Sequence, residues 1–334
     1  NPYHLMKDSP IETASKYITN LYTNASKSPV ENNSITYNYA SSVNLMNDRL
    51  GGTTTDLDGG NIRYYGASPN NYIYFNCSDY NNQSDTTCEK WRIIGVFDGK
   101  VKIIKNSIIG KYSWANSNIN EWSTATLMKL LNPGYDTETV EGSLYYNSSS
   151  GKCYKSQSNA TTSCDFTSSG IKNDETRSKI ASVTWNLGGW NDNKIYSNQI
   201  YGYERGTTVY SGRSITWTGK IAIPYPSDYG YAVDFNSCNK TLYDYNNSAC
   251  ISNNWMKTIV TDSDNSAGWL LTPYSGYSAY AWLLVTPGYV DLYSSNDSLV
   301  YSTYNVTPTL FLNSTEIIVE GTTGTESNPY KLNP

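Results

Sequence analysis

Trp91-Arg92-Ile93-Ile94-Gly95-Val96-Phe97-Asp98-Gly99-Lys100-Val101-Lys102-Ile103-Ile104 is the stretch whose reading decides the fold class. Two runs rich in β-branched and aromatic residues flank Asp98-Gly99, a pair suited to the positive-φ positions of a tight hairpin turn. Upstream, Tyr72-Ile73-Tyr74-Phe75 reads as another strand. Downstream, Trp269-Leu270-Leu271, Ala281 to Val285, Tyr289 to Tyr293, Val306 to Leu312 and Ile317 to Val319 read the same way. Helical patterns are few and isolated. Ser9-Pro10-Ile11-Glu12 has the form of a capping box, followed by a stripe of Ala14, Tyr17, Ile18 and Leu21 up to about Asn24. A second helix is predicted from about Glu121 to Leu131, stopped by Asn132-Pro133-Gly134, and a third from about Asp174 to Trp185. Strands mixed with isolated helices, without strand–helix–strand alternation, predict an α+β chain with antiparallel sheets. Residues 25–60 are rich in Ser, Thr, Asn and Gly and read as loop. The organisation expected is therefore an N-terminal helix and polar linker or arm over 1–60, ahead of a domain over 61–334.

Composition places this chain among folded proteins with an uncharged polar surface. Of 334 residues, 38% are hydrophobic and only 16% charged, while 32 tyrosines and nine tryptophans raise the aromatic share to 14%. Disordered chains lack aromatics and carry high net charge, so this one is expected to fold. A net charge of −5 offers no basic patch for nucleic acid or an acidic membrane. No apolar run has the length to cross a bilayer. A chain that starts at Asn1 is read as having lost a leader or anchor.

Six cysteines fall as three pairs: Cys77 with Cys88, Cys153 with Cys164, and Cys238 with Cys250. Six cysteines allow about fifteen connectivities, and the repeated spacing favours the local one. Each short bridged loop contributes on the order of 3 kcal/mol in the loop-entropy account. The cysteines sit in hydrophilic stretches, without a Cys-x-x-Cys and with His4 the single histidine. That argues for disulfides and an oxidising exterior over zinc or thioredoxin-type chemistry.

The parity of the late hairpin selects a face. Thr286-Pro287-Gly288-Tyr289 places Pro and Gly as a type II turn wants them. Closing there pairs Val285 with Val290 and Leu283 with Leu292, which share one face. The opposite face then carries Trp282, Leu284, Thr286, Tyr289, Asp291 and Tyr293. A three-residue loop would break this parity. Tyr274, Tyr277, Tyr280, Asn296, Tyr301 and Tyr304 flank that face. Together they make the candidate ligand-binding set, with the amphipathic rings and polar tips of a paratope.

Further motifs carry a resemblance. Tyr64-Tyr65-Gly66-Ala67-Ser68-Pro69-Asn70-Asn71-Tyr72-Ile73-Tyr74-Phe75, Trp91 to Phe97, Trp185-Asn186-Leu187-Gly188-Gly189 and Tyr203-Glu204-Arg205-Gly206-Thr207 are similar to a family of gut-bacterial surface proteins. Trp217-Thr218-Gly219-Lys220-Ile221, Tyr225 to Ala232, Asn253-Asn254-Trp255, Trp269 to Pro273, Ala281-Trp282 and Gly324 to Leu332 continue it in order, over roughly 62–332. These are secreted or pilin-like proteins whose C-terminal domain resembles the C-type-lectin-like fold, and similar domains serve as variable proteins of diversity-generating retroelements. The resemblance implies that fold, with two or three helices, and a ligand surface over about Tyr274 to Asn305. Where the family has Val-Arg-Pro, this chain has Val306-Thr307-Pro308.

Chemistry is sparse. Trp190-Asn191-Asp192 matches a tripeptide that supplies calcium ligands in lectins, but its companion loop is absent and hard cations need six to eight oxygens. Asp56-Leu57-Asp58-Gly59-Gly60-Asn61 has the wrong ligand spacing and reads as a turn. His4 in an N-terminal segment gives no base for a catalytic triad. Glu204-Arg205 and Asp228 are the candidate buried polar residues, in the role of a structural ion pair. The Asn-x-Ser/Thr sequons at Asn24, Asn76, Asn147, Asn159, Asn239, Asn305 and Asn313 follow from composition. The expected protein is a non-enzymatic extracellular adhesin or receptor-binding module, with no metal, cofactor or nucleic acid. Its partner would be a protein or glycan on another cell. The alternatives are a pilus or filament subunit binding copies of itself, with the Asn1–Asp8 arm and the Asn328–Pro334 tail free to reach a neighbour, and a calcium-dependent lectin.

Overall fold

The computed structural model describes residues 12–49, 60–135, 142–153, 162–262, 266–291 and 301–334. Thr13 is extended, bridges Ile317, and caps α1 (Ala14–Asn24) by accepting from the Lys16 N–H at 3.4 Å. The helix therefore starts at Ala14 rather than in the Ser9 capping box, because Thr13 is held in a strand-like bridge. Ser9, Pro10 and Ile11 lie outside the described residues. Next come β1 (Ser28–Asn32), β2 (Ile35–Ala40), β3 (Leu45–Asn47), β4 (Ile62–Tyr64), β5 (Tyr72–Phe75), β6 (Glu89–Phe97), β7 (Lys100–Lys105) and β8 (Lys111–Ser113). The middle holds α2 (Thr126–Leu131), β9 (Ser150–Cys153), β10 (Thr162–Asp165), α3 (Asp174–Ser178), β11 (Val183–Asn186) and α4 (Ser197–Glu204). It continues with β12 (Thr216–Gly219), β13 (Ile221–Ala222), α5 (Pro226–Tyr231), α6 (Ser248–Ile251) and α7 (Lys257–Thr261). β14 (Gly268–Pro273), β15 (Ala281–Val285), β16 (Tyr289–Asp291), β17 (Thr303–Asn305) and β18 (Thr309–Phe311) follow.

The fold is α+β. A nine-stranded antiparallel sheet runs β1-β2-β3-β4-β6-β7-β18-β13, with β5 also paired to β6. A five-stranded sheet runs β16-β15-β14-β17-β8, in which only β14 and β17 are parallel. Phe97 pairs with Lys100 across the Asp98-Gly99 turn, whose residues take φ of 48° and 70°, the tight hairpin that the sequence predicts. The cysteines form three local disulfides, Cys77–Cys88, Cys153–Cys164 and Cys238–Cys250. Among the described residues no helix is long and apolar enough to cross a membrane.

Several expectations are corrected. The stretch 25–60 is not all loop: β1, β2 and β3 extend the large sheet, and the boundary drawn at 60 separates the paired strands β3 and β4. Tyr37 and Tyr39 are the reason, since alternate residues of the polar β2 are fully buried. The second helix splits into a 3-10 turn, Trp122–Thr124, and α2. The third stops at Ser178, and the β-branched and aromatic Val183–Asn186 pairs with β12 instead. There are seven α-helices among the described residues, not two or three. Val306 to Leu312 is strand only over β18, and Ile317 and Ile318 make isolated bridges.

Two apolar clusters share the sheets between them. Ile93, Ile103, Trp269 and Leu283 belong to one, and their neighbours Ile94, Ile104, Leu270 and Leu284 to the other. Central strands are thus buried on both faces, as their unbroken apolar runs permit. This overturns the parity of the late hairpin. Val285 pairs with Tyr289, Leu284 with Val290 and Leu283 with Asp291, around a three-residue loop, Thr286-Pro287-Gly288. Val290 therefore shares a face with Leu284 and Trp282, which is buried, and the other face carries Leu283 and Asp291.

Candidate functional site

The sequence-predicted ligand set separates into distinct places. Trp282 is fully buried and belongs to the core, a correction forced by burial on both faces of β15. Tyr293 and Asn296 lie outside the described residues. Thr286, Tyr289 and Asp291 sit at the end of the β15–β16 hairpin, where the Tyr289 ring meets Tyr243 at 6.3 Å. Tyr301 and Tyr304 lie at β17: the Tyr301 carbonyl accepts from the Ser113 hydroxyl at 2.8 Å, and Tyr304 packs edge-on against Trp269 at 5.0 Å.

Tyr274, Tyr277 and Tyr280 do come together, in the connection from β14 to β15. Their rings form a chain, Tyr274 to Tyr280 at 6.0 Å and Tyr277 to Tyr280 at 4.8 Å. One buried residue, Asn120, organises the loop. Its side-chain N–H groups donate to the carbonyls of Tyr274 at 2.9 Å, Tyr277 at 3.1 Å and Tyr280 at 2.8 Å. Its Oδ1 accepts from Arg213 Nε at 2.8 Å, and its backbone N–H donates to Ser278 O at 2.7 Å. Tyr277 is left 46% exposed, close in the chain contacts to Ile119 (48%) and Ile215 (41%). Those contacts run through Asn120 to Ser278 and through the Ser214 N–H to Glu121 Oε2 at 2.7 Å. Ile119 and Ile215, two further exposed aliphatic side chains, are chain neighbours of Asn120, which holds this loop, and of Ser214, which bonds Glu121.

A second place was only half legible. Arg63 in β4 pairs with Gly95 in β6, and Gly95 pairs with Lys102 in β7. The two cations therefore flank a glycine on one face of the large sheet, and Asp228 from α5 fills the gap above it. Its Oδ2 accepts from Lys102 Nζ at 2.6 Å and from the Tyr225 N–H at 2.9 Å, and its Oδ1 lies 3.4 Å from Arg63 Nη1. Arg63 Nε donates to Asp48 at 2.7 Å. Rings close around both cations: Tyr231 at 4.5 Å and Phe97 at 4.7 Å from the guanidinium, Tyr225 at 4.5 Å from the ammonium. Burial pushes the Lys102 ammonium down, against the nearby Asp228 carboxylate.

Beside this cluster Glu204, at the end of α4, accepts from the Ser227 N–H at 2.9 Å and the Ser227 hydroxyl at 2.6 Å. Burial pushes its carboxyl up to about 8, with Asp228 adding to the rise. Glu204 and Asp228 are buried as expected, but the ion pairs of Asp228 are to Lys102 and Arg63. Arg205 is exposed, with its guanidinium 4.0 Å from the Tyr201 ring centroid. The signal for the missing partners was Lys102 itself, an inward-facing charge in the apolar run Val101 to Ile104.

Above this floor opens a cleft of about 540 Å³, walled by the sheet, β11, α4 and α5. Among the described residues no three His, Cys, Asp or Glu side chains gather as metal ligands. Asp192 of the lectin-like tripeptide accepts from the Lys194 N–H at 2.8 Å, and Trp190 stacks on Tyr203 at 3.8 Å.

No family model, no curated protein and no solved structure matches this chain.

Proposed function

We propose that this chain is an extracellular, non-enzymatic receptor-binding or adhesin module of C-type-lectin-like fold, and that a protein partner docks on the Tyr274–Tyr280 loop. The observation that carries the reading is the grip of Asn120 on three successive tyrosine carbonyls. It fixes the loop before any partner arrives, so an exposed ring loses little entropy on binding. The exposed aliphatic side chains of Ile119 and Ile215 suit a protein surface better than a sugar. Three disulfides support an oxidising compartment. An α+β chain of mostly antiparallel sheets, the Thr13–Ile317 bridge and the motif order are compatible with the lectin-like reading.

The test uses labelled protein on intact and protease-treated cells, with sedimentation velocity run in parallel. Tyr277→Ser combined with Ile119→Ser is expected to weaken cell binding by about tenfold or more, with the melting temperature unchanged. Protease treatment of the cells should abolish the signal. Binding unaffected by the double substitution would end the reading. A wild-type chain that self-associates through this patch, and a variant that does not, would replace it with the filament reading.

A further inference from the structure

The ion pair at the floor of the cleft takes no part in the Tyr277 surface, and its geometry allows more than an ion pair. We propose that Lys102 and Asp228 condense into an intramolecular amide, a covalent cross-link that ties β7 to α5. Lys102 Nζ lies 2.6 Å from Asp228 Oδ2, and the two side chains are 2% and 1% exposed. Cγ is one bond beyond Oδ2, which puts it within about 3–3.5 Å of the nitrogen, the range of a near-attack arrangement. The carboxylate is held from its other sides: the Tyr225 N–H donates to Oδ2 at 2.9 Å, and Arg63 Nη1 lies 3.4 Å from Oδ1. Four rings stand around the ammonium, Tyr225 at 4.5 Å, Phe97 at 5.2 Å, Phe311 at 5.4 Å and Trp185 at 5.5 Å.

The step needs no co-reactant. Nζ passes one proton to Oδ2, and the neutral amine attacks Cγ. Negative charge then develops on Oδ1, which faces Arg63. A second proton moves from the nitrogen to the Oδ2 hydroxyl, the Cγ–Oδ2 bond breaks, and water leaves through the cleft that both residues line. One N–H and one carbonyl remain as the amide. Burial favours this outcome twice. It pushes the Lys102 ammonium down, towards the amine that attacks. It also makes buried charges costly. Arg63 and Lys102 balance Asp48 and Asp228 before the step, and Arg63 balances Asp48 after it. Condensation therefore removes one buried pair and leaves no charge without a partner. Glu204, pushed up to about 8 by burial, keeps its proton at neutral pH and adds no charge to this balance.

Mass spectrometry of the full chain, denatured and with its disulfides reduced, tests the cross-link. The protein is expected to be one water lighter than its sequence. A tryptic digest should hold a branched peptide joining 101–105 to 221–240, because trypsin does not cut at an acylated lysine. Lys102→Arg keeps a cation beside Asp228 but has no amine to acylate, so it should show the full mass and no branched peptide. On a reducing denaturing gel the wild-type chain, still closed between 102 and 228, should run ahead of that variant. Wild-type protein that keeps its full mass after days at neutral pH would overturn the proposal, and this result decides it even where the variant does not fold. So would a water lost without the branched peptide, which places the dehydration elsewhere in the chain. None of these results bears on the protein-docking surface, which fails or stands by its own test.

Discussion

Glu204 is the residue at which this protein's stability should answer to pH. Its carboxyl is raised from the usual 4.5 to about 8, first by burial and then by Asp228, with Ser227 and Arg63 pulling the other way. Lys102 and Asp48 complete the charged surroundings. Between about pH 4.5 and 8 the folded state holds this proton and the unfolded state does not. The unfolded chain binds fewer protons there, so stability falls as pH rises across that window. Glu204→Gln keeps an acceptor for the Ser227 N–H and removes the titration. Urea unfolding at several pH values should show a descending wild-type curve and a flatter variant curve, with the variant the more stable at pH 8. Parallel curves would show that Glu204 ionises normally. The two carboxylates of this site were legible in the sequence, as acids set among Tyr, Gly and Ser. Their partners were not, because Lys102 and Arg63 lie 126 and 165 residues from Asp228 and only sheet register brings them together. Asn120 gave no signal at all, since one Asn among so many carries no mark of the three carbonyls it holds.

At the scale of elements, Gly95 decides whether the charged row can form. Register shifts between Ile93 and Gly95 on β6, and a Cβ at Gly95 would stand 2.1 Å from the Ile62 carbonyl oxygen. That oxygen is backbone of the paired strand and has no rotamer by which to yield. Gly95→Ala should therefore push β4 from β6, moving Arg63 off Asp228, at a cost of roughly 3 kcal/mol. Gly99→Ala is the comparison: it meets nothing within 4 Å, but its φ of +70° asks a left-handed conformation of alanine, worth about 1 kcal/mol. Denaturant midpoints should rank Gly95→Ala as the more damaging. The reverse order would mean that the β4–β6 approach relaxes freely. The hairpin around Asp98-Gly99 was legible because its turn dipeptide fixes the loop at two residues. The hairpin after Val285 was not, because Ala281–Val285 is buried throughout except at its end, so neither face was marked for solvent and parity had nothing to select. Val183–Asn186 failed for a related reason, four residues being too few to separate a helical stripe from a strand.

For the molecule as a whole, the tail closes the structure rather than reaching out of it. The Tyr74 N–H donates to the Tyr330 carbonyl, and the Tyr330 N–H returns to Tyr72, both at 2.9 Å, so the tail runs beside β5. Leu332 is fully buried and Tyr330 nearly so, Leu332 exchanges hydrogen bonds with the Gln83 side chain, and Lys179 Nζ donates to Asn333 O at 2.8 Å. The sequence reading has Asn328–Pro334 free to reach a neighbour. Its two apolar residues, spaced i and i+2, were the sign of a docked strand. Burying two large side chains stabilises by about 3–6 kcal/mol before hydrogen bonds are counted. That is a large part of the 5–15 kcal/mol typical of a folded domain. Deleting residues 328–334 should therefore lower the melting temperature by roughly 10 °C or more, and expose the β5 edge and the Cys77–Cys88 loop to protease. Tyr330→Ala with Leu332→Ala, which keeps the backbone in place, should reproduce most of that loss. A truncated chain that melts with the wild type would restore the free tail, and with it the strand-exchange route to a filament. The docked tail removes Asn328–Pro334 as a donor strand for that route, while the Asn1–Asp8 arm lies outside the described residues.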